Sequence, residues 1–235
     1  RYANRPPSET AAAGRDARPG RPMGLQAQFQ IALGGILLLF CVVAAVLIYF
    51  HEKELLEETA LEKSHIVMAA VESTRAYVRE VLRPRMYEFA GPDAFVMEAM
   101  STSYVTRAVM ERFNGALPSY HYRRVAVNAR NPASLPTPVE RELIDYFRRY
   151  PEKTYWRGIR NTDDGVGFIH ARPVVMEASC LKCHGQPSDA PGDLVDIYGG
   201  DRGFGYRAGQ LAGVTVVGIP VKVALKKIRS RALSV

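Results

Sequence analysis

Residues 154–184 read TYWRGIRNTDDGVGFIHARPVVMEASCLKCH. Thr154–Arg160 has the composition of a strand, Asp163-Asp164-Gly165 carries a hairpin-turn signal, and Val166–Val175 reads as the returning strand. The pentad Cys180-Leu181-Lys182-Cys183-His184 follows directly. An antiparallel hairpin leading into C-x-x-C-H sets both the type of sheet and the place of the chemistry.

Two thiols three positions apart can each add across one vinyl group of a haem, forming thioethers, and the next histidine then supplies an imidazole to the iron. Other chemistries use part of this pattern. C-x-x-C alone also suits a redox or structural disulfide pair, or half of a zinc site. Zinc needs a second ligand pair, and the remaining cysteine, Cys41, lies inside an apolar run. A thioredoxin-like pair calls for an early βαβ unit, which the pattern lacks. The first expectation is one covalently bound haem c, with Cys180 and Cys183 at the thioether positions and His184 as proximal iron ligand. A disulfide pair comes second and a metal site third.

Outward from the pentad, Gln186–Gly209 reads as a loop rich in Gly, Pro and Asp, and Leu211–Val221 as a last strand. Upstream, Tyr120–Asn128 has strand character. Thr137-Pro138-Val139-Glu140 combines a capping box with proline at the first helical position, which opens a helix through about Arg149. Leu61, His65, Met68, Val71, Val78 and Leu82 fall at three- and four-residue steps, one face of a helix that Pro84 is expected to end. A second helix over 94–113 follows the turn at Gly91-Pro92-Asp93 and closes at Asn114-Gly115. Helices first and hairpin-linked strands later predict an α+β domain, an antiparallel sheet with helices on one face.

Phe29 to Phe50 is an uncharged run long enough to cross a hydrocarbon core as a helix, with no cleavage-site pattern after it. Arginines dominate the side before it, so the positive-inside bias places the N-terminus in the cytoplasm and the pentad outside, where bacterial haem c is attached. The expected location is therefore the bacterial inner membrane, single-pass, with the haem domain periplasmic. Residues 1–28, rich in Ala, Arg, Pro and Gly, bury too little to fold alone and suit capture by a partner protein. The net charge of +7 collects largely in that segment and in Lys222–Arg231. Neither cluster interleaves aromatics for base stacking, which argues against nucleic acid and for membrane-flanking charge. The chain thus divides into a basic tail (1–28), an anchor helix (29–50), a membrane-proximal helix (51–90), the haem domain (91–225) and a basic C-terminal tail (226–235).

The runs VNARNPASLPTPVERELIDYF, HARPVVMEASCLKCHG, APGDLVDIYGGDRGFGYRAGQLAGV and GIPV, in that order, resemble the bacterial PAS-like domains that carry a single c-type haem. In that family they serve as extracytoplasmic input regions of histidine kinases and chemoreceptors, and also occur free-standing. The resemblance spans roughly residues 60–225. It implies a PAS-like antiparallel sheet with long N-terminal helices, the haem held between sheet and helix, and the pentad roles given above. Arg172 is expected to pair with a propionate, and Tyr198 and Phe204 to line the cofactor beside a bend at Gly199, Gly200, Gly203 and Gly205. Some members supply a helix cysteine as the sixth iron ligand. Glu72 falls near that position here, so that ligation does not transfer. Met68 and His65 are the leading distal candidates, His121 and His170 lesser ones, and an iron with no second protein ligand is the alternative.

No catalytic constellation is visible, so no enzymatic activity is expected. The expected function is that of a membrane-anchored monohaem cytochrome, a redox component or accessory subunit of a membrane-protein complex whose electron partner the sequence does not name. The alternative is the haem-based redox or gas-sensing input domain of a signalling protein, which in receptor form would need a second span after Val221.

Overall fold

A computed structural model describes residues 24–118, 120–162 and 165–232. The chain divides into two units, residues 1–45 and 46–235. In the first, the described residues after Gly24 belong to the opening of helix α1 (Leu25–Tyr77), whose apolar side chains, such as Phe29, Ile36 and Phe40, are exposed. This helix is long and apolar enough to cross a membrane.

In the second unit, the helical path does not stop at Pro84. Val78–Leu82 forms a π-helical turn, and α2 (Arg83–Ala90) continues from it with Pro84 in its first turn. Proline lacks the amide that an unbroken α-helix would need there, and its ring crowds the carbonyl four residues back. The wider turn, closed by the Arg83 amide on the Val78 carbonyl, accommodates both demands. The expected helix over 94–113 is likewise two: α3 (Met97–Met100) and α4 (Thr102–Ala116). Ser101 between them is extended, and its hydroxyl accepts from the Tyr104 amide as the cap of α4. The Asn114-Gly115 pair lies inside that helix rather than closing it.

The sheet is antiparallel throughout, in the order β1-β4-β3-β2, with β1 His121–Ala126, β2 Trp156–Thr162, β3 Gly165–Val175 and β4 Leu211–Pro220. The expected turn residues Asp163 and Asp164 lie outside the described residues. Helix α5 (Pro138–Arg149) starts with the full capping box that Thr137 and Glu140 predict. Two further helices lie where the sequence reading places none: α7 (Gly192–Tyr198) in the stretch read as a loop, and α8 (Lys222–Ala232), which runs into the basic tail.

Helices cover both faces of the sheet, not one. On one face Val125, Ile169, Ala171, Val214 and Val216 pack against Leu143, Ile144 and Phe147 of α5. On the other, Val217 meets Val67, Met68 and Val71 of α1 and Met110 of α4, while Phe168 meets Ala60 of α1. The strand period of two separates these sets, which is why the central strand β4 is buried along most of its length. A polar contact also ties α1 to the sheet. Ser64 Oγ donates to the Leu61 carbonyl (2.7 Å), so the 2.9 Å contact with His170 must be a donation from His170 Nδ1. His170 is 1% exposed, and its Nε2 has no partner among the described residues.

Burial, reinforced by His65, Arg172 and Arg157, pulls the His170 pKa down from 6.5 to about 4. The unfolded chain therefore binds this proton first. The stabilisation is complete above pH 6.5 and is lost as pH falls towards 4, a loss of about 3 kcal/mol. Urea unfolding of wild type and His170→Gln across this range should show that extra acid sensitivity in wild type alone.

Candidate functional site

The turn Ala178–Cys180 runs into the short helix α6 (Leu181–His184). Positions i, i+3 and i+4 of a helical turn share a face. Cys180, Cys183 and His184 accordingly line one cavity of about 390 Å³, together with residues from α1, α4, β1 and the glycine-rich loop. Both thiols are free and half-buried.

His184 is held by its inner nitrogen. Nδ1 lies 2.7 Å from the Gly203 carbonyl, which can only accept, so the proton sits on Nδ1 and Nε2 keeps its lone pair. Burial and the Arg130 charge lower the imidazole pKa to about 4, so the ring is neutral near pH 7. A neutral imidazole whose second nitrogen is fixed by a carbonyl is the arrangement that metal-bound histidines use. Ladder-like bonds from the Gly205 amide to the Gly185 carbonyl (2.8 Å) and from the Tyr206 amide to the His184 carbonyl (3.1 Å) bind the pentad to the loop.

Arg130 fastens the same junction from the other side. Its guanidinium donates to the carbonyls of Cys183, Arg202 and Gly203 and lies 4.2 Å over the Phe204 ring. Gly203 has φ +74°, and a side chain there would meet Arg130 Cγ at 2.5 Å. Gly185 is needed as well, since a Cβ would fall 2.6 Å from the Leu181 carbonyl oxygen.

The remaining expected residues divide. Tyr198 lines the cavity, with its hydroxyl 2.7 Å from Met97 Sδ. Phe204 is buried beside Cys183, among Phe95, Met100 and Leu194. Arg172 is exposed on β3 and is not on the cavity wall. Met68 belongs to the core between α1 and the sheet; His65 is exposed, its ring 4.8 Å from His170. Neither lines the cavity, whose wall carries Met100, Met110 and Met176 instead. His121 opens β1, exposed.

The residues that sequence reasoning missed are mostly cations. Arg75 of α1 is 7% exposed; its Nε stands 3.5 Å from the Glu72 carboxylate and its Nη1 has no partner among the described residues. Arg124 of β1 donates to Thr215 Oγ1 (3.0 Å), and burial, with Arg75 beside it, lowers its pKa to about 10. Both line the cavity, as does Tyr122, whose buried hydroxyl has no partner of good geometry and whose pKa burial raises. Two signals were present in the sequence. Arg75 fills the gap between Val71 and Val78 on the apolar helix stripe, and the adjacent Arg123 and Arg124 of a strand cannot both face outward.

A sequence model of the Tll0287-like family matches residues 52–220, and the chain belongs to that family. Among solved structures, the crystal structure of the cyanobacterial heme-protein Tll0287 superposes with a TM-score of 0.54 at 22% identity, covering 68% of this chain and 94% of that one. No curated protein matches the chain.

The close packing at Gly203 predicts that Gly203→Ala destabilises the domain by about 1–3 kcal/mol, because it forces a positive φ on alanine and displaces Arg130. Thermal melts of wild type and variant check this. Gly192→Ala, where a Cβ meets nothing within 4 Å, is the control expected to melt with wild type.

Proposed function

We propose that this member of the Tll0287-like family carries one covalently attached haem c and works as a membrane-anchored, periplasmic redox protein, either moving electrons itself or serving as an accessory subunit of a membrane complex. The observation that carries this reading is the fixed His184, its Nε2 free and its neighbours Cys180 and Cys183 on the same cavity wall. The similarity to a cyanobacterial heme-protein agrees with it. So do the size of the cavity, within the range of small-molecule sites, and its unsatisfied guanidinium and phenol groups, which suit a group that is apolar in its body and anionic at its edge.

In this reading Cys180 and Cys183 would hold the haem through thioether links, and His184 Nε2 would be the protein ligand to its iron. The bound haem supplies one-electron chemistry. The chain's own part is to orient the imidazole through Gly203, to fix the pentad through Arg130, and to keep bulk water out with Phe95, Met100, Leu194 and Phe204. The helices on the cavity side of the sheet form, in this proposal, the cover of a PAS-like domain, and residues 29–50 its inner-membrane anchor.

A second reading is favoured by one feature. The π-turn Val78–Leu82 falls within the stretch of Arg75, Arg79 and Arg83, all on the cavity wall, and π-turns recur at functional sites. A shift there on binding of a gas, or on a change of iron oxidation state, would make the domain a sensor input.

Absorption spectra of protein matured with a haem-attachment system, oxidised, reduced, and reduced under CO, test both. Haem bands that survive denaturation in wild type and disappear in Cys180→Ser/Cys183→Ser are expected. A reduced spectrum unchanged by CO supports electron transfer, whereas prompt CO binding supports sensing. Absence of bands from wild type overturns the proposal.

A further inference from the structure

We infer that Arg75, Tyr122 and Arg124 form a carboxylate seat at the α1–β1 side of the cavity, built to hold the two propionates of the attached haem. This inference rests on the haem reading above. Its starting point is a cost. A guanidinium taken out of water without a counter-charge is strongly destabilising. Two of them side by side repel as well. Here α1 delivers Arg75 and β1 delivers Arg124 to the same wall, close enough that the Arg75 charge disfavours the charged form of Arg124.

The neighbouring carboxylates do not balance this pair. Glu72 reaches Arg75 only at 3.5 Å and is itself 57% exposed; it is also shared with Arg79 at 3.9 Å. Glu140, the buried acid nearby in sequence to β1, is committed to Arg123 (2.8 Å) and to the cap of α5. The other cavity arginines are occupied: Arg83 donates to the Met100 carbonyl and Arg130 to the loop carbonyls, while Arg79, Arg107 and Arg123 pair with Glu80, Glu111 and Glu140. Arg75 Nη1 and the Tyr122 hydroxyl are left as buried donors without acceptors among the described residues.

The missing partner must therefore be anionic, must accept from both a guanidinium and a phenol, and must bring more than one negative charge. A pair of carboxylates meets those terms, since the guanidinium fork matches carboxylate geometry. The seat also lies on the same cavity as the thiols that would anchor the rest of the molecule. Arg172, exposed on β3, is off that wall.

The test uses the full-length haem-loaded protein in nanodiscs, with wild type compared against Arg75→Gln, Arg124→Gln, Arg124→Lys, Tyr122→Phe and the exposed control Arg172→Gln. Thioether attachment uses Cys180 and Cys183 rather than these side chains, so covalent haem is expected in every variant that folds. Removing a cation favours the oxidised iron. A unit charge about 10 Å away at an effective dielectric of about 20 shifts an equilibrium roughly tenfold. Redox titration should therefore show the reduced-to-oxidised ratio, read at the wild-type midpoint, falling by roughly that factor in each Arg→Gln variant. Arg124→Lys should recover most of the loss, and Arg172→Gln should match wild type.

Resonance Raman spectra should show shifted propionate-bending bands in Tyr122→Phe, a change of one oxygen atom that leaves the fold in place even where an arginine variant fails to assemble. Attached haem whose midpoint and propionate bands are the same in all the seat variants overturns the inference, as does a wild-type midpoint that follows added chloride or phosphate, which would mean a free anion fills the seat. Wild type without covalent haem instead sinks the reading on which the inference rests.

Discussion

The central strand β4 can be buried along its length only if something covers each side of the sheet, and the rest of the domain follows from that constraint. Its side chains alternate between two apolar surfaces: Val214 and Val216 on one, Val217 on the other. The compact, capped helix α5 covers the first. The second is covered by α1 along Ala60–Val71 and by α4 at Met110. Where α1 passes the end of this apolar contact, its inward side chain changes from Val71 to Arg75, and a cavity opens in place of a core. The site is thus the place where the packing of helix on sheet stops being apolar.

Two kinds of order meet at that cavity. The pentad is held by backbone: carbonyls of Cys183, His184, Gly185 and Gly203 accept from Arg130, from the amides of the glycine-rich loop and from the histidine itself. The junction draws bonds from three separate parts of the chain, and at Gly185 and Gly203 it leaves no room for a side chain. The opposite wall is held by charge and is incomplete by itself, with donors that the described residues do not satisfy. A well-packed domain tolerates such a deficit where a ligand completes it.

Legibility in the sequence followed the range of the interaction. The capping box at Thr137 and Glu140 produced α5 as expected, and the hairpin signals produced β2 and β3, because each depends on residues within a few positions of one another. Pro84 misled for the opposite reason. Its local rule, that proline ends a helix, gave way to a π-turn and to the packing of Arg83 on Met100. The glycine-rich loop and the basic tail hid α7 and α8, short or strongly charged helices whose apolar contacts, Leu194 with Phe95 and Leu225 with the Ala60–Phe168 cluster, come from elsewhere in the chain.

By itself, the sequence determined the C-x-x-C-H pentad, the apolar segment of membrane-spanning length and the antiparallel α+β class. Each is written in residues adjacent in the chain, or in a period that any helix or strand imposes on its own side chains. Only the tertiary structure decided that helices cover both faces, that Met68 and His65 stand away from the cavity wall, and that Arg75 and Arg124, 49 positions apart, share it with Tyr122. Those outcomes depend on which face of a helix meets which face of a sheet. That choice is made by the burial of the whole core, and no local stretch of sequence contains it.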